Sequence, residues 1–119
     1  MKLPVKALLL AAGYGTRLKP ITNYLPKCLV TIGGVNLIER WINMLERTNC
    51  KSVLINTHYL SNQVDAVISN LKSKLQVTSI FEEKLLGTAG TLLANREYFT
   101  NCTTLLIHAD NYTELNLCD

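Results

Sequence analysis

Long apolar runs are missing from this chain. The first run, Ala7–Ala12, is shorter than the ~7–15 residues of a secretory h-region, and no later one approaches the ~18 of a membrane span. Lys2 and Lys6 imitate the positive end of a signal peptide, but Gly-Tyr-Gly-Thr-Arg is a poor cleavage region, so no leader is expected. Charge of one sign is also scarce: the net charge of +3 is too mild to argue for nucleic acid. Four cysteines are spread without a C-x-x-C pair, and the two histidines, His58 and His108, have no partner at metal spacing. Reduced thiols in a cytoplasmic protein are the expectation. The triplets at Asn101 and Asn111 match the glycosylation pattern, which carries no meaning without a secretory route.

What is present suits one globular domain. A chain of 119 residues is enough for one such unit, and 48% hydrophobic with 18% charged residues describes an ordinary globular composition. Four stretches read as strands: Val5–Ala11, Ser52–Asn56, Leu75–Phe81 and Thr104–His108. The first and last are nearly continuous apolar runs, as in strands buried on both faces of a parallel sheet. Asn36–Glu46 sets Leu37, Ile38, Trp41, Ile42 and Leu45 on one helical side. Ser61–Leu71 does likewise with Val64, Val67, Ile68 and Leu71, with Ser61 as its expected N-cap, and a third helix is expected over Gly90–Tyr98. Strands alternating with helices predict a doubly wound, mainly parallel α/β sheet with helices on both faces.

In such a sheet, ligands sit beyond the carboxyl ends of the strands. Gly13-Tyr14-Gly15-Thr16-Arg17 falls there, after the first strand. Glycines let the backbone turn tightly and offer bare N–H groups to an anion, while Thr16 adds a hydroxyl and Arg17 a forked cation. The dinucleotide fingerprint would need glycine where Leu18 stands and an acid ending the second strand; Glu39, at the right distance, lies in a helical pattern. The P-loop spacing is absent, and a plain turn without a ligand is the simplest alternative.

The longer string Leu-Ala-Ala-Gly-x-Gly-Thr-Arg-Leu-x-Pro, with Leu25-Pro26-Lys27-Cys28-Leu29, closely resembles the signature of the sugar-phosphate nucleotidyltransferases. The resemblance continues through Ile55–Tyr59, Gly87-Thr88-Ala89-Gly90 and Ala109-Asp110-Asn111, and so covers essentially the whole chain; Ala12 departs from the glycine of many members. It implies transfer of a nucleotidyl group from a nucleoside triphosphate, with GTP as the expected donor, to a sugar 1-phosphate, releasing pyrophosphate. It implies nucleotide contacts at Leu10, Ala11, Ala12, Gly13, Gly15 and Thr16, with Arg17 on the β and γ phosphates and Lys27 on the transferring phosphate. Arg17 and Lys27 are thus the expected catalytic cations. Asp110, after the fourth strand, is the expected ligand of Mg²⁺.

The resemblance further implies that Gly87 and Thr88 border the nucleobase, and that Glu82 faces it. A carboxylate accepts well from the N1–H and N2–H₂ of guanine and poorly from the uracil edge, which offers more acceptors. A solvated Glu-Glu-Lys turn is the alternative for Glu82. Residues 1–119 are expected to be the nucleotide-binding part of a truncated domain, without the sugar-binding half or a second metal carboxylate. Partners other than the two substrates are not implied: no nucleic acid, no membrane, with room for a homo-oligomer. A silent nucleotide-binding relative is the second functional reading, weakened by the presence of Arg17, Lys27 and Asp110. A dinucleotide-binding oxidoreductase is the third, disfavoured by Leu18 and the lysine loop.

Overall fold

A computed structural model describes residues 3–13 and 19–111. Its frame is a four-stranded parallel sheet of β1 (Val5–Leu10), β4 (Cys50–Thr57), β5 (Gln76–Phe81) and β6 (Thr103–His108), in the order β5-β4-β1-β6. β1 is central, with Leu10 opposite Asn56 of β4 on one side and His108 of β6 on the other. The chain therefore leaves β1 in one direction across the sheet and returns on the opposite side, and that reversal opens a crevice beyond the strand ends.

Alternation along the strands sends their side chains to two cores. Ala7, Leu9, Val53 and Ile55 meet one layer of helix, made by α1 (Leu37–Glu46) and α2 (Ser61–Asn70). All five apolar positions expected on α1 are buried, and Val64 of α2 is buried with Val67, Ile68 and Leu71 packed around it. Each fully buried aliphatic side chain contributes roughly 1.5–3 kcal/mol relative to exposure, so this stripe fixes α1 far more strongly than helix propensity does. Leu8 and Leu54 point the other way, to Phe99 and to Leu92 of α3 (Gly87–Ala94). Helices thus lie on both faces of β1 and β4, as expected of a doubly wound fold. The edge strands β5 and β6 are mostly exposed, so the last strand is not buried on both faces as its apolar run predicts.

Several boundaries differ from the sequence expectation. The strands shift by one or two residues at their ends. Asn36 caps α1 from outside, its Oδ1 accepting the Glu39 N–H at 2.8 Å. Ser61 does not cap α2: Leu60 takes that place in a left-handed conformation (φ 52°), with no side-chain cap. The third helix starts at Gly87 instead of Gly90 and stops at Ala94, because the Asn95 side chain donates to the Thr91 carbonyl at 2.8 Å and its backbone leaves the helical region. A small antiparallel hairpin, β2 (Thr31–Ile32) and β3 (Val35–Asn36), was not foreseen. Its two-residue turn, Gly33-Gly34, has both φ positive (63° and 82°), a conformation in which side chains are strained.

Candidate functional site

The crevice at the strand ends holds a pocket of about 240 Å³. β1 delivers Leu10, Ala11, Ala12 and Gly13 to its floor. A 3-10 turn over Lys27–Leu29 supplies Lys27 from one side, and the loop after β6 supplies Asp110. Glu82 follows β5, and Gly87 and Thr88 open α3 on the opposite wall. Gly87 has φ +74°, which an L side chain rarely adopts, so the chain can turn sharply into the helix there. Nine of the expected nucleotide contacts, drawn from five separate segments, thus line one pocket. Gly15, Thr16 and Arg17 lie outside the described residues.

Charge is arranged at two ends of this pocket. Lys27 Nζ stands 3.3 Å from Asp110 Oδ2, with both side chains partly open to solvent. Asp110 is held from behind: the indole N–H of Trp41 on α1 donates to the neighbouring Asn111 carbonyl at 3.0 Å. Cys28, next to Lys27, is buried, and its thiol lies 3.9 Å from the Ala11 carbonyl. Burial pushes its pKa up to about 12, with the nearby Asp110 charge adding to the rise, so this thiol is a neutral filler of the pocket wall.

At the other end stands Glu82. It is not part of a solvated turn: it is 6% exposed, whereas Glu83 and Lys84 are exposed. Its backbone N–H donates to the Thr57 carbonyl at 2.7 Å, extending the β4–β5 ladder by one residue and swinging the side chain back over β4. There the carboxylate accepts from the Thr91 hydroxyl and, at 3.3 Å, from Asn56 Nδ2. The Glu82 carbonyl also lies 2.6 Å from Nδ1 of His58.

Sequence reasoning missed Asn56, Leu85 and His108, which share the pocket lining. The signal that could have found Asn56 is a polar residue directly after the apolar run Val53–Ile55 of a buried strand. Among the described residues, no group of three or more His, Cys, Asp or Glu could hold a metal ion. Asp110 offers a single hard carboxylate. That donor suits Mg²⁺, which keeps water and substrate oxygens around one or two carboxylates, so the residues present fit such an ion in company with a phosphate. Among the described residues no helix is long and apolar enough to cross a membrane.

An open parallel α/β domain with a pocket at the point where strand order reverses defines the class. The nucleotidyl transferase family model matches residues 6–118, and the chain belongs to that family. It is 36% identical over 115 residues to choline-phosphate cytidylyltransferase of Streptococcus pneumoniae, covering 95% of this chain and 48% of that protein. It is 30% identical over 120 residues to the mannose-1-phosphate guanylyltransferase catalytic subunit beta of Xenopus tropicalis, covering 97% of this chain and 32% of that protein. Among solved structures, HddC from Yersinia pseudotuberculosis complexed with GMP-PN superposes with a TM-score of 0.79 at 29% identity, over 93% of this chain and 50% of that one. The chain thus spans between a third and a half of the length of these relatives.

Proposed function

We propose that this chain forms the nucleotide-binding part of a sugar-1-phosphate nucleotidyltransferase whose preferred donor is GTP. The observation that carries the proposal is that the backbone just beyond β1, a lysine, a carboxylate and a buried glutamate meet in one pocket. A phosphate oxygen of the sugar 1-phosphate attacks the α-phosphorus of the triphosphate; that O–P bond forms as the bond to the β-phosphate oxygen breaks, and pyrophosphate leaves. Charge accumulates on the leaving group, so positioning and neutralisation are what the protein must supply.

In this proposal the backbone of Gly13 to Thr16 wraps the triphosphate and Arg17 holds its β and γ groups, while the Ala11 N–H is taken by Asn56. Lys27 neutralises the phosphate being transferred. Asp110 is the residue that would hold Mg²⁺, an ion that supplies charge neutralisation at phosphate oxygens when bound. Glu82 receives the base donors, with Gly87 and Thr88 along the base edge. The named relatives handle different nucleotides, cytidylyl for one and guanylyl for another. The guanine preference therefore rests on Glu82 alone: a carboxylate matches two adjacent donors better than one donor flanked by carbonyls. The cytoplasm, where nucleoside triphosphates are plentiful, is the proposed location.

The test is pyrophosphate release by protein expressed from the complete reading frame, with GTP, Mg²⁺ and a panel of sugar 1-phosphates. Arg17→Ala should slow turnover by ~10²–10³, the loss typical of one donor to a charged transition state. Unchanged turnover in that variant would remove the phosphate role of Arg17, and no turnover with any sugar phosphate in the unaltered protein would overturn the proposal.

A further inference from the structure

We propose that Asn56 and Thr91 are positioning residues that aim Glu82 at the base, and that Asn56 also ties Glu82 to the Ala11 N–H just beyond β1, next to the proposed phosphate site. The inference rests on the base-reading role of Glu82 proposed above.

The network is closed on the protein side and open on the pocket side. Asn56 is 4% exposed and next to last in β4, and Thr91, on α3, is fully buried. The Ala11 N–H is only a donor and points at Asn56 at 2.7 Å, so the atom that meets it is the amide oxygen. The Asn56 amide nitrogen must then face the other way, and it lies 3.3 Å from both Glu82 Oε2 and Thr91 Oγ1. Thr91 has one hydroxyl proton. Glu82 Oε2 takes it, which leaves the Thr91 oxygen to accept from Asn56. Each polar atom has one consistent role, and no amide flip preserves the set.

The two carboxylate oxygens are consequently unequal. Among the described residues, Oε2 receives two donors, whereas Oε1 receives only the Leu86 N–H, at 3.4 Å. A buried carboxylate oxygen with so little support favours a ligand that brings N–H groups and disfavours one that brings carbonyls. Asn56 links this preference to the phosphate end, because the same side chain that holds Oε2 also fixes the Ala11 N–H where β1 gives way to the glycine turn. A purely structural network would join β4 to α3 without affecting which nucleotide is chosen.

Calorimetry on protein from the complete reading frame, with Mg²⁺ present and GTP, UTP and inorganic tripolyphosphate as separate probes, distinguishes the two. Thr91→Val removes a donor at nearly constant shape. It should shrink the UTP-to-GTP ratio of Kd values tenfold or more and leave tripolyphosphate affinity unchanged, while Thr91→Ser restores the ratio. Asn56→Leu should shrink the same ratio and also weaken tripolyphosphate binding by about threefold or more, the effect of one displaced hydrogen bond. A Thr91→Val protein that retains the full ratio overturns the positioning role while the function of Glu82 stands. An Asn56→Leu protein with normal tripolyphosphate affinity overturns the link between the two ends. An unaltered protein that binds UTP as well as GTP overturns the base-reading role itself, and this inference with it.

Discussion

Lys27 and Asp110, 83 residues apart in the chain, face each other across the mouth of the pocket with Nζ and Oδ2 at 3.3 Å. Their side chains are 28% and 42% exposed, so solvent screens the pair, and it contributes no more than about 1 kcal/mol to folding. So weak a pair does little for folding, which is compatible with the proposed role of both groups at a phosphate.

Lys27→Ala should therefore separate stability from activity. Thermal unfolding should move by the equivalent of about 1 kcal/mol or less, while turnover falls by ~10²–10³. Pyrophosphate release and a melting curve on the same preparation check both. Large losses in both measurements would make Lys27 a structural residue.

Glu82→Gln should change base choice in a definite direction. The Thr91 hydroxyl and the Asn56 amide are donors, so they will draw the oxygen of the new carboxamide and turn its NH₂ toward the base. That group repels the guanine donors and suits the carbonyls of uracil. Exchanging one charge-assisted hydrogen bond is worth ~1.5–3 kcal/mol, so the preference for GTP over UTP should drop at least tenfold. Titration of both nucleotides measures it, and an unaltered preference would show that Glu82 does not touch the base.

The Cys28 thiol, raised to about 12 from an ordinary 9.0, should resist alkylation at pH 8, while the partly exposed Cys102 reacts. Mass spectrometry after iodoacetamide treatment reads this directly. The same shift bears on stability. Its contribution is complete below the unfolded value of 9.0 and is lost as pH climbs toward the folded value near 12, because the unfolded thiol ionises first. Cys28→Ala should flatten that part of the stability–pH curve.

Much of the frame was legible because apolar periodicity and burial coincide on the α1 stripe and along β1, whereas the apolar run of β6 lies at the sheet edge, where Ile107 alone of the strand is buried and Leu106 is exposed. The start of α3 was not legible. No capping side chain precedes it, and the Leu86 N–H instead finds Oε1 of Glu82, a partner that only the fold supplies. The β2–β3 hairpin could have been found from Gly33-Gly34 flanked by the β-branched Thr31, Ile32 and Val35, since two adjacent glycines satisfy a turn with both φ positive. Of the site, Lys27, Asp110 and the Ala11–Gly13 floor were readable from motif and strand ends. The burial of Glu82 was not, because a Glu-Glu-Lys string looks the same in a surface turn and at a pocket wall.

The bond from Trp41 to the Asn111 carbonyl gives the protein a built-in optical probe. Trp41 is the chain's sole tryptophan, 8% exposed, and its indole N–H leans on the peptide next to Asp110. A ligand that pulls on the Asp110 carboxylate strains or releases that hydrogen bond, and indole emission responds to both. Adding Mg²⁺ with a nucleoside triphosphate should shift or quench the fluorescence, and Asp110→Asn should blunt the response without any label having been attached.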